Sequence, residues 1–307
     1  MPHLTVAASE AVFAKTLELV VDAVGFEPAG SHDFGAFRAG YDGRLVLAGG
    51  DVELRSDGTI RLHELDARWE KLELRLVLEL PQLQIGGGCF DGPLGGVVCL
   101  PAVTLFRGSP RVAVTIDLAP FVRHELTLVG TPRVDYFDPA TSPFTERCQQ
   151  VHTALDIDDT KTQWRVYCDP QTIDFDPFDL ADTAGDLLVD AFSAAIEALL
   201  PPGLGVIRDA VFAAIGSIGD LVRTLLDIPD DIAEWLSDLF NVSFGLFNLV
   251  LQFVADFFGR CVSFYQLDDP YPVFPATDTL LAVSVPIEDL QATVDDLELV
   301  VTANVGE

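Results

Sequence analysis

The sequence has little positive charge. Only three of its 307 residues are lysines, and 18 Lys and Arg together face 48 Asp and Glu, which gives a formal net charge of −30. The acidic residues are scattered along the chain instead of forming a tail, a distribution that indicates a solvated surface. Such a surface repels nucleic-acid phosphates and anionic lipid headgroups. We therefore expect no nucleic-acid partner.

Motifs that carry known chemistry are also missing from the sequence, including a Walker loop, a dinucleotide fingerprint, a GxSxG elbow and an HExxH pair. The five histidines are dispersed. The pairs His63-Glu64 and His124-Glu125 lie in segments of strand periodicity, where adjacent side chains point to opposite faces. The sequence therefore predicts no catalytic residues, no cofactor and a non-enzymatic protein. An enzyme whose carboxylates converge from distant segments stays an alternative.

The first residues of the chain lack the basic region and apolar run of a secretory signal. We therefore expect a protein that is cytoplasmic, or exported without a cleaved signal peptide. Its five cysteines show no CxxC spacing, which predicts buried free thiols. A disulfide between Cys89 and Cys99 stays open, since these residues bracket a glycine-rich turn and could face each other across a hairpin.

Two acidic clusters offer the hard oxygen ligands that Ca²⁺ or Mg²⁺ prefers. One is Asp156–Asp159, and the other contains Asp174, Asp176, Asp179 and Asp182. Neither has the glycine and twelfth-position glutamate of an EF-hand loop, and such clusters arise by chance in a chain this rich in aspartate. Asp174, Asp176 and Asp179 are therefore only weak metal candidates, and turn or N-cap roles are favoured for Asp179 and Asp182.

Hydrophobic periodicity is what the sequence does contain. Apolar residues at helical spacing predict a first helix over Ser9–Val24. Strand periodicity follows, and it is clearest where leucine occupies every second position from Leu72 to Leu80. One apolar and one charged face indicate antiparallel pairing and argue against a Rossmann or barrel α/β fold. Further alternating segments are Leu45–Leu47, Val112–Leu118, Leu126–Val134 and Trp164–Cys168.

The pattern changes to helical from Asp179 onward. Three helices are predicted, over about 187–199, 204–226 and 229–258, and strand periodicity returns from Pro272. We expect the last strand, Leu297–Val305, to close the sheet begun near residue 45. The predicted fold class is α+β, with a long curved antiparallel sheet packed against an N-terminal helix and two to three long apolar helices, closed by a C-terminal strand pair. The expected organisation is a single interlocked domain, 1–307, with a helix in 1–25, mainly strands in 26–178, mainly helices in 179–262 and closing strands in 272–307.

Residues Leu239–Ala255 form a run of 17 without a formal charge. A membrane span needs about 20 apolar residues. Polar residues at spacings of three or four, among them Asp238, Asn248 and Gln252, fall on one narrow stripe, which suits a helix lying against a sheet and predicts no transmembrane span. The remaining positions of this run form a wide apolar arc that is rich in phenylalanine. This phenylalanine-rich arc either fills the core or lines a cavity for an apolar ligand. The cavity candidates are Leu246, Phe247, Val250, Phe253, Val254 and Phe257.

The order of the elements resembles that of the tubular lipid-binding (TULIP) domains, which include the bactericidal/permeability-increasing-like proteins. The segments that carry the resemblance are an opening helix, Ala7–Val24, a strand at Trp69–Leu74, and a closing strand pair at Val285–Leu290 and Glu298–Ala303. The cluster of helices between Asp182 and Phe258 departs from a minimal module of this kind. The resemblance implies an apolar tunnel that holds acyl chains, and it supplies no catalytic residues.

The sequence therefore leads to two functional hypotheses. The first is non-enzymatic binding of a lipid or another apolar small molecule in an elongated cavity between sheet and helices. The alternative is a structural or assembly protein that uses its apolar helical face for self-association or for docking to a protein partner.

Overall fold

The computed structural model shows an α+β protein with a large antiparallel sheet, several helices and a C-terminal strand pair, as the sequence predicts. It describes residues 3–21, 24–35, 37–79, 84–85, 89–91, 97–99, 103–104, 110–175, 182–199, 232–274, 281, 283–295 and 297–306. The helices are α1 (Glu10–Val21), α2 (Glu146–Ala154), α3 (Asp182–Leu199), α4 (Ile232–Asp238) and α5 (Leu246–Asp256), with a 3₁₀ turn at Ala119–Phe121 and π-helical turns at Leu239–Ser243 and Phe257–Cys261.

The strands are β1 (Leu4–Ser9), β2 (Gly25–Phe26), β3 (Ala29–Asp33), β4 (Phe37–Leu54), β5 (Ile60–Glu79), β6 (Gln84–Ile85), β7 (Cys89–Asp91), β8 (Val97–Cys99), β9 (Val103–Thr104), β10 (Arg111–Asp117), β11 (Arg123–Phe137), β12 (Gln163–Phe175), β13 (Tyr265–Asp268), β14 (Tyr271–Phe274), β15 (Val283–Val285), β16 (Ile287–Asp295) and β17 (Glu298–Val305).

The large sheet is organised around β5. Its strand order is β13-β12-β11-β5-β4-β2, with β3 on β4 and β10 on β5. One edge of β5 pairs with β4, and the other edge is shared, since β11 pairs with the segment Ile60–Arg68 and β10 pairs with Glu73–Glu79. All of these pairs are antiparallel.

The core lies between the leucine face of this sheet and the helices. Leu72, Leu74, Leu76 and Leu78 are all buried, as the alternation predicts. Helix α1 packs on β4, α3 packs on β10 and α5 packs on β12. The predicted apolar face of the first helix is also buried, and it consists of Phe13, Leu17, Val20 and the following Val24.

The two ends of the described chain meet in a separate three-stranded sheet, in the order β1-β17-β16. The predicted first helix begins only at Glu10, because Leu4–Ser9 form a strand that pairs with β17. The burial of these six residues alternates, which is the strand period. The predicted C-terminal strand pair is present, but the expectation that its last strand closes the sheet begun near residue 45 is wrong, since β17 is held by β1 and β16.

The long third helix predicted over 229–258 is divided into two. Gly245 has a left-handed φ of 62°, which glycine adopts without the steric cost of a Cβ, and this residue separates α4 from α5. No helix in the described ranges is by itself long and apolar enough to cross a bilayer, and Ile232–Ser243 with Leu246–Cys261 meets that criterion only as a pair bent by 51°. The predicted helix at 204–226 lies outside the described residues.

The prediction of buried free thiols is only partly right. Cys168 is a buried free cysteine, whereas Cys148 and Cys261 form a disulfide with their Cα atoms 4.7 Å apart. This pair is separated by 113 residues, and only the folded chain brings it together. Cys89 lies directly opposite Cys99 in the β7–β8 pair, as the hairpin alternative requires, but their side chains lie outside the described residues.

Candidate functional site

A cleft of about 570 Å³ opens between strand β2 of the large sheet and helices α2 and α5. We call it the α2–α5 cleft. Its lining residues are Val24, Gly25, Phe26, Glu27, Arg147, Gln150, Val151, Ala154 and Phe253. This volume lies within the range of about 300–1,000 Å³ that is typical of small-molecule sites.

Helix α2 supplies one wall of the cleft. The Thr145 side chain caps its first turn by accepting a hydrogen bond from the backbone N–H of Cys148. The α2 residues that line the cleft are Arg147, Gln150, Val151 and Ala154, at positions i, i+3, i+4 and i+7. This is the spacing of one helical face. The wall is therefore polar in the first half of the helix, at Arg147 and Gln150, and apolar in the second half, at Val151 and Ala154.

The floor of the cleft is aromatic. The Phe26 and Phe253 rings stack with centroids 4.9 Å apart and an interplanar angle of 8°. Phe253 and Val151 are each 2% exposed, so they present only an edge to the opening. Offset-stacked rings of this kind are rigid and bury a large apolar area. Phe26, which is only partly buried, therefore supplies most of the apolar surface that the floor offers to a ligand.

Two charged residues, Arg147 and Glu27, line the cleft beside the aromatic floor. The Arg147 guanidinium lies over the Phe26 ring at 5.3 Å, and its Nη1 donates to Asp256 Oδ2 at 3.3 Å. Asp256 has a second cationic partner in Arg260, at 3.6 Å. The Glu27 carboxylate accepts from Arg44 at 3.2 Å. Every charge at the mouth is thus paired, in a chain that is strongly acidic as a whole.

A buried polar network holds α2 in place beside the cleft. The disulfide joins α2 to Cys261, and one turn further along the helix the ring of His152 contacts the Cys261 carbonyl oxygen. The other ring nitrogen of His152 is 2.7 Å from the Asp159 carboxylate, which also pairs with Arg165. Both ring nitrogens of His152 therefore lie within hydrogen-bond distance of oxygen atoms, one on the loop that precedes β12 and one on Cys261.

The predicted cavity residues divide between the cleft and the core. Phe253 lines the α2–α5 cleft. The buried core contains Leu246, Val250, Val254 and Phe257. Phe247 is partly buried and stacks on Phe175 of β12, with centroids 5.5 Å apart. The phenylalanine-rich arc is thus packed mainly against the sheet, and the described opening lies at its edge.

In the acidic clusters, the structure gives local partners to Asp158 and Asp159. Asp174 is exposed on β12, whereas Asp176 and Asp179 lie outside the described residues. In the first cluster, the Thr160 hydroxyl and backbone N–H hold the pKa of Asp158 below its usual range, with a smaller contribution from Lys161. Across the described ranges, no three His, Cys, Asp or Glu side chains are grouped to hold a metal ion.

The two histidine–glutamate pairs differ from each other. His124 is buried against Phe175 while Glu125 is exposed, which agrees with the expectation that the two point to opposite faces. His63 and Glu64 approach to 4.0 Å instead, because Glu64 adopts a positive φ of 56° that interrupts the alternation.

Helix α2 and its cleft-facing residues are absent from the sequence-based predictions. A signal for them was present, since Thr145 is a favoured N-cap residue and Glu146 is acidic in the first turn. The nine-residue helix is short, and its mean hydropathy is low because only its buried side is apolar. The periodicity of apolar residues alone therefore did not predict helix α2.

No family model, no curated protein and no solved structure matches this chain. The resemblance to tubular lipid-binding domains therefore stays a prediction.

Proposed function

We propose that the protein binds an apolar small molecule, such as a lipid, without catalysing a reaction, and that the α2–α5 cleft receives it. The observation that supports this most is the combination of a 570 Å³ opening with a floor of stacked phenylalanine rings between sheet and helices. Burial of apolar surface contributes about 0.8 kcal/mol per CH₂ group. A chain of ten carbons therefore has enough apolar surface for measurable affinity in a cleft of this size.

The test uses decanol as an uncharged probe in isothermal titration calorimetry, together with native mass spectrometry of the purified protein before and after solvent extraction. Ala154 is exposed and lines the cleft, so Ala154→Trp fills the opening without disturbing the core. We expect this variant to weaken decanol binding at least about tenfold, or roughly 1.4 kcal/mol.

Thr153→Trp is the matched control, because Thr153 is exposed on the same helix and does not line the cleft. It should bind decanol as the parent protein does. Absence of any decanol binding to the parent, or equal binding by both tryptophan variants, would rule out the cleft as the site.

A second proposal, assembly, is favoured by a separate observation. The apolar helical face that the sequence suggested for docking is mostly buried, but the β14–β15 pair exposes Phe274 at 59%, Val283 at 47% and Val273 at 43%. Leu281, just before β15, is 89% exposed. Clustered exposed apolar side chains are typical of interaction surfaces.

Sedimentation velocity over a dilution series tests this second proposal. Screening of the acidic surface should promote self-association as salt is raised, and Phe274→Ser should weaken it. Leu19→Ser changes another exposed residue, on α1, and serves as the control. A parent protein that stays monomeric at every concentration and salt level contradicts self-association.

A further inference from the structure

We propose that the ligand of the α2–α5 cleft is an anionic amphiphile, and that Arg147 binds its carboxylate while the apolar tail lies on the aromatic floor. This inference rests on the proposed function and adds the chemical class of the ligand and the residue that recognises it.

The first support is the position of Arg147. It lines the cleft at the start of α2, and its guanidinium lies over the Phe26 ring of the floor. A guanidinium over an aromatic face is held by a cation–π interaction and by stacking. The cation is therefore positioned next to the place where the polar end of a ligand meets its apolar part.

The second support is that Arg147 is incompletely used within the protein. The side chain makes one described hydrogen bond, at 3.3 Å, from Nη1 to Asp256. A guanidinium has five N–H donors arranged in a fork that matches a carboxylate in a bidentate manner. Its side chain is 40% exposed, so the remaining donors are not enclosed by the core.

The third support is the arrangement of Asp256. This carboxylate is shared between Arg147 and Arg260, at 3.3 and 3.6 Å. If a ligand carboxylate draws Arg147 away, Asp256 keeps a cationic partner and is not left unpaired. Exchange of one partially exposed ion pair for another has a small electrostatic cost, whereas an unpaired charge has a large one.

The opposite ligand class is a cationic amphiphile, which the net charge of −30 would attract over long distances. The immediate surroundings of the cleft favour the anion. Glu27 is already paired with Arg44, and the charged side chain that lies over the aromatic floor is the cation Arg147. Long-range attraction is screened within about 8 Å at physiological ionic strength, so contacts in the cleft decide which head group binds.

The experiment compares three probes with the same ten-carbon tail, namely decanoate, decanol and decyltrimethylammonium, by calorimetry at about 0.5 M NaCl to screen the overall charge. We expect decanoate to bind most tightly. Arg147→Gln should weaken decanoate binding about tenfold or more and change decanol binding by less than about twofold, because only the charged contact is lost.

Two further variants test the role of Asp256. Asp256→Asn frees Arg147 and removes a neighbouring negative charge, so it should tighten decanoate binding severalfold and leave decanol binding unchanged. Arg260→Gln removes the partner that Asp256 keeps when Arg147 turns to the ligand, so it should also weaken decanoate binding, though less than Arg147→Gln does. Arg55→Gln is the control for the lost positive charge, because Arg55 neither lines the cleft nor pairs with Asp256, and it should leave decanoate binding nearly unchanged. Circular dichroism melts confirm that each variant is folded.

The outcomes separate the two proposals. If decanol and decanoate both fail to bind, the proposed function and this inference fall together. If decanol binds but decanoate has no advantage, or if Arg147→Gln and Asp256→Asn leave the ratio of the two affinities unchanged, the cleft remains an apolar site and the anionic ligand class is wrong. Tightest binding of decyltrimethylammonium also overturns the inference.

Discussion

Cys168 shows how burial controls the chemistry of a single side chain in this protein. It lies on β12 with no exposed surface, and its sulfur packs against Gly130 of β11, where an added Cβ would lie only 2.5 Å from Sγ. Burial disfavours the charged thiolate and raises the pKa of the Cys168 thiol to about 12, with a smaller contribution from the neighbouring Asp169. Since the thiolate is the reactive form, the folded protein should keep this cysteine inert.

We expect iodoacetamide at about pH 8 to alkylate Cys168 at least about a hundredfold more slowly in the folded protein than in denaturant, because an ordinary thiol has a pKa of about 8.5. Peptide mapping by mass spectrometry resolves Cys168 from the other cysteines. The pKa of Cys168 is higher in the folded protein than in the unfolded chain. Its contribution to the free energy of unfolding is therefore complete below the pKa of the unfolded chain and is lost as the pH rises towards 12. Rapid labelling of Cys168 in the folded state would contradict its burial.

Residues of this kind were only partly predictable from the sequence. The predicted buried free thiol is present at Cys168, whereas the predicted alternation of Trp164, Val166 and Cys168 does not describe the burial of β12, since Arg165 and Tyr167 between them are buried as well. His152, Asp159 and Arg165 could not be grouped in advance, because their contacts depend on how a helix, a loop and a strand meet. Periodicity reports which face a side chain occupies, and it does not report which distant partner lies there.

At the scale of elements, α2 depends on links to other segments. It is short, and isolated helices below about 12–15 residues are marginal in water. Three links join it to residues 256–261. They are the Cys148–Cys261 disulfide, the Arg147–Asp256 ion pair and the contact between His152 and the Cys261 carbonyl. The covalent link closes a loop of more than a hundred residues, so its removal gives the unfolded chain considerable additional freedom.

The double variant Cys148→Ala/Cys261→Ala should therefore lower the free energy of unfolding by about 2–5 kcal/mol, as measured by urea denaturation. Reducing agent should destabilise the parent protein to a similar extent. The same treatment of the double variant is the control, because it reports any contribution from the remaining cysteines. Equal stability of the parent and the double variant would show that the disulfide does not hold α2.

The elements were predictable where a single period persisted over many residues. Strand β5 is 20 residues long and its leucine face is buried as the sequence predicts. Strand β1 was missed because it has only six residues and its conformation is set by pairing with β17, almost 300 residues later. The division between α4 and α5 depends on the left-handed conformation of Gly245, which cannot be predicted from a hydrophobic period of 3.6 residues.

At the scale of the whole molecule, the acidic surface opposes compactness. Thirty uncompensated negative charges repel one another in the folded state more strongly than in an extended chain. Many described ion pairs are largely exposed, for example Lys15–Glu18 and Arg38–Asp33, so they contribute little to compensating this repulsion. Dissolved salt should provide the missing screening.

We expect the melting temperature to rise by several degrees between about 0.05 and 1 M NaCl, because the Debye length falls from above 10 Å to about 3 Å over this range. Differential scanning calorimetry measures the shift. Choline chloride at equal ionic strength should give a comparable rise if screening is the cause. A melting temperature that falls with salt would indicate that attractive ion pairs outweigh the overall repulsion.

The β1–β17 pair places a strand from each end of the described chain side by side, with Leu4 opposite Ala303. On a ribosome that adds about 5–20 residues per second, β1 therefore emerges roughly 15–60 s before the strand it needs. All strands of the large sheet have been synthesised once the chain reaches Asp268, so this sheet can assemble while β1 is still unpaired. The three-stranded sheet consequently cannot be completed before Glu298–Val305 has been synthesised, and a chain cut short before Glu298 would leave β1 as an unpaired edge open to other chains.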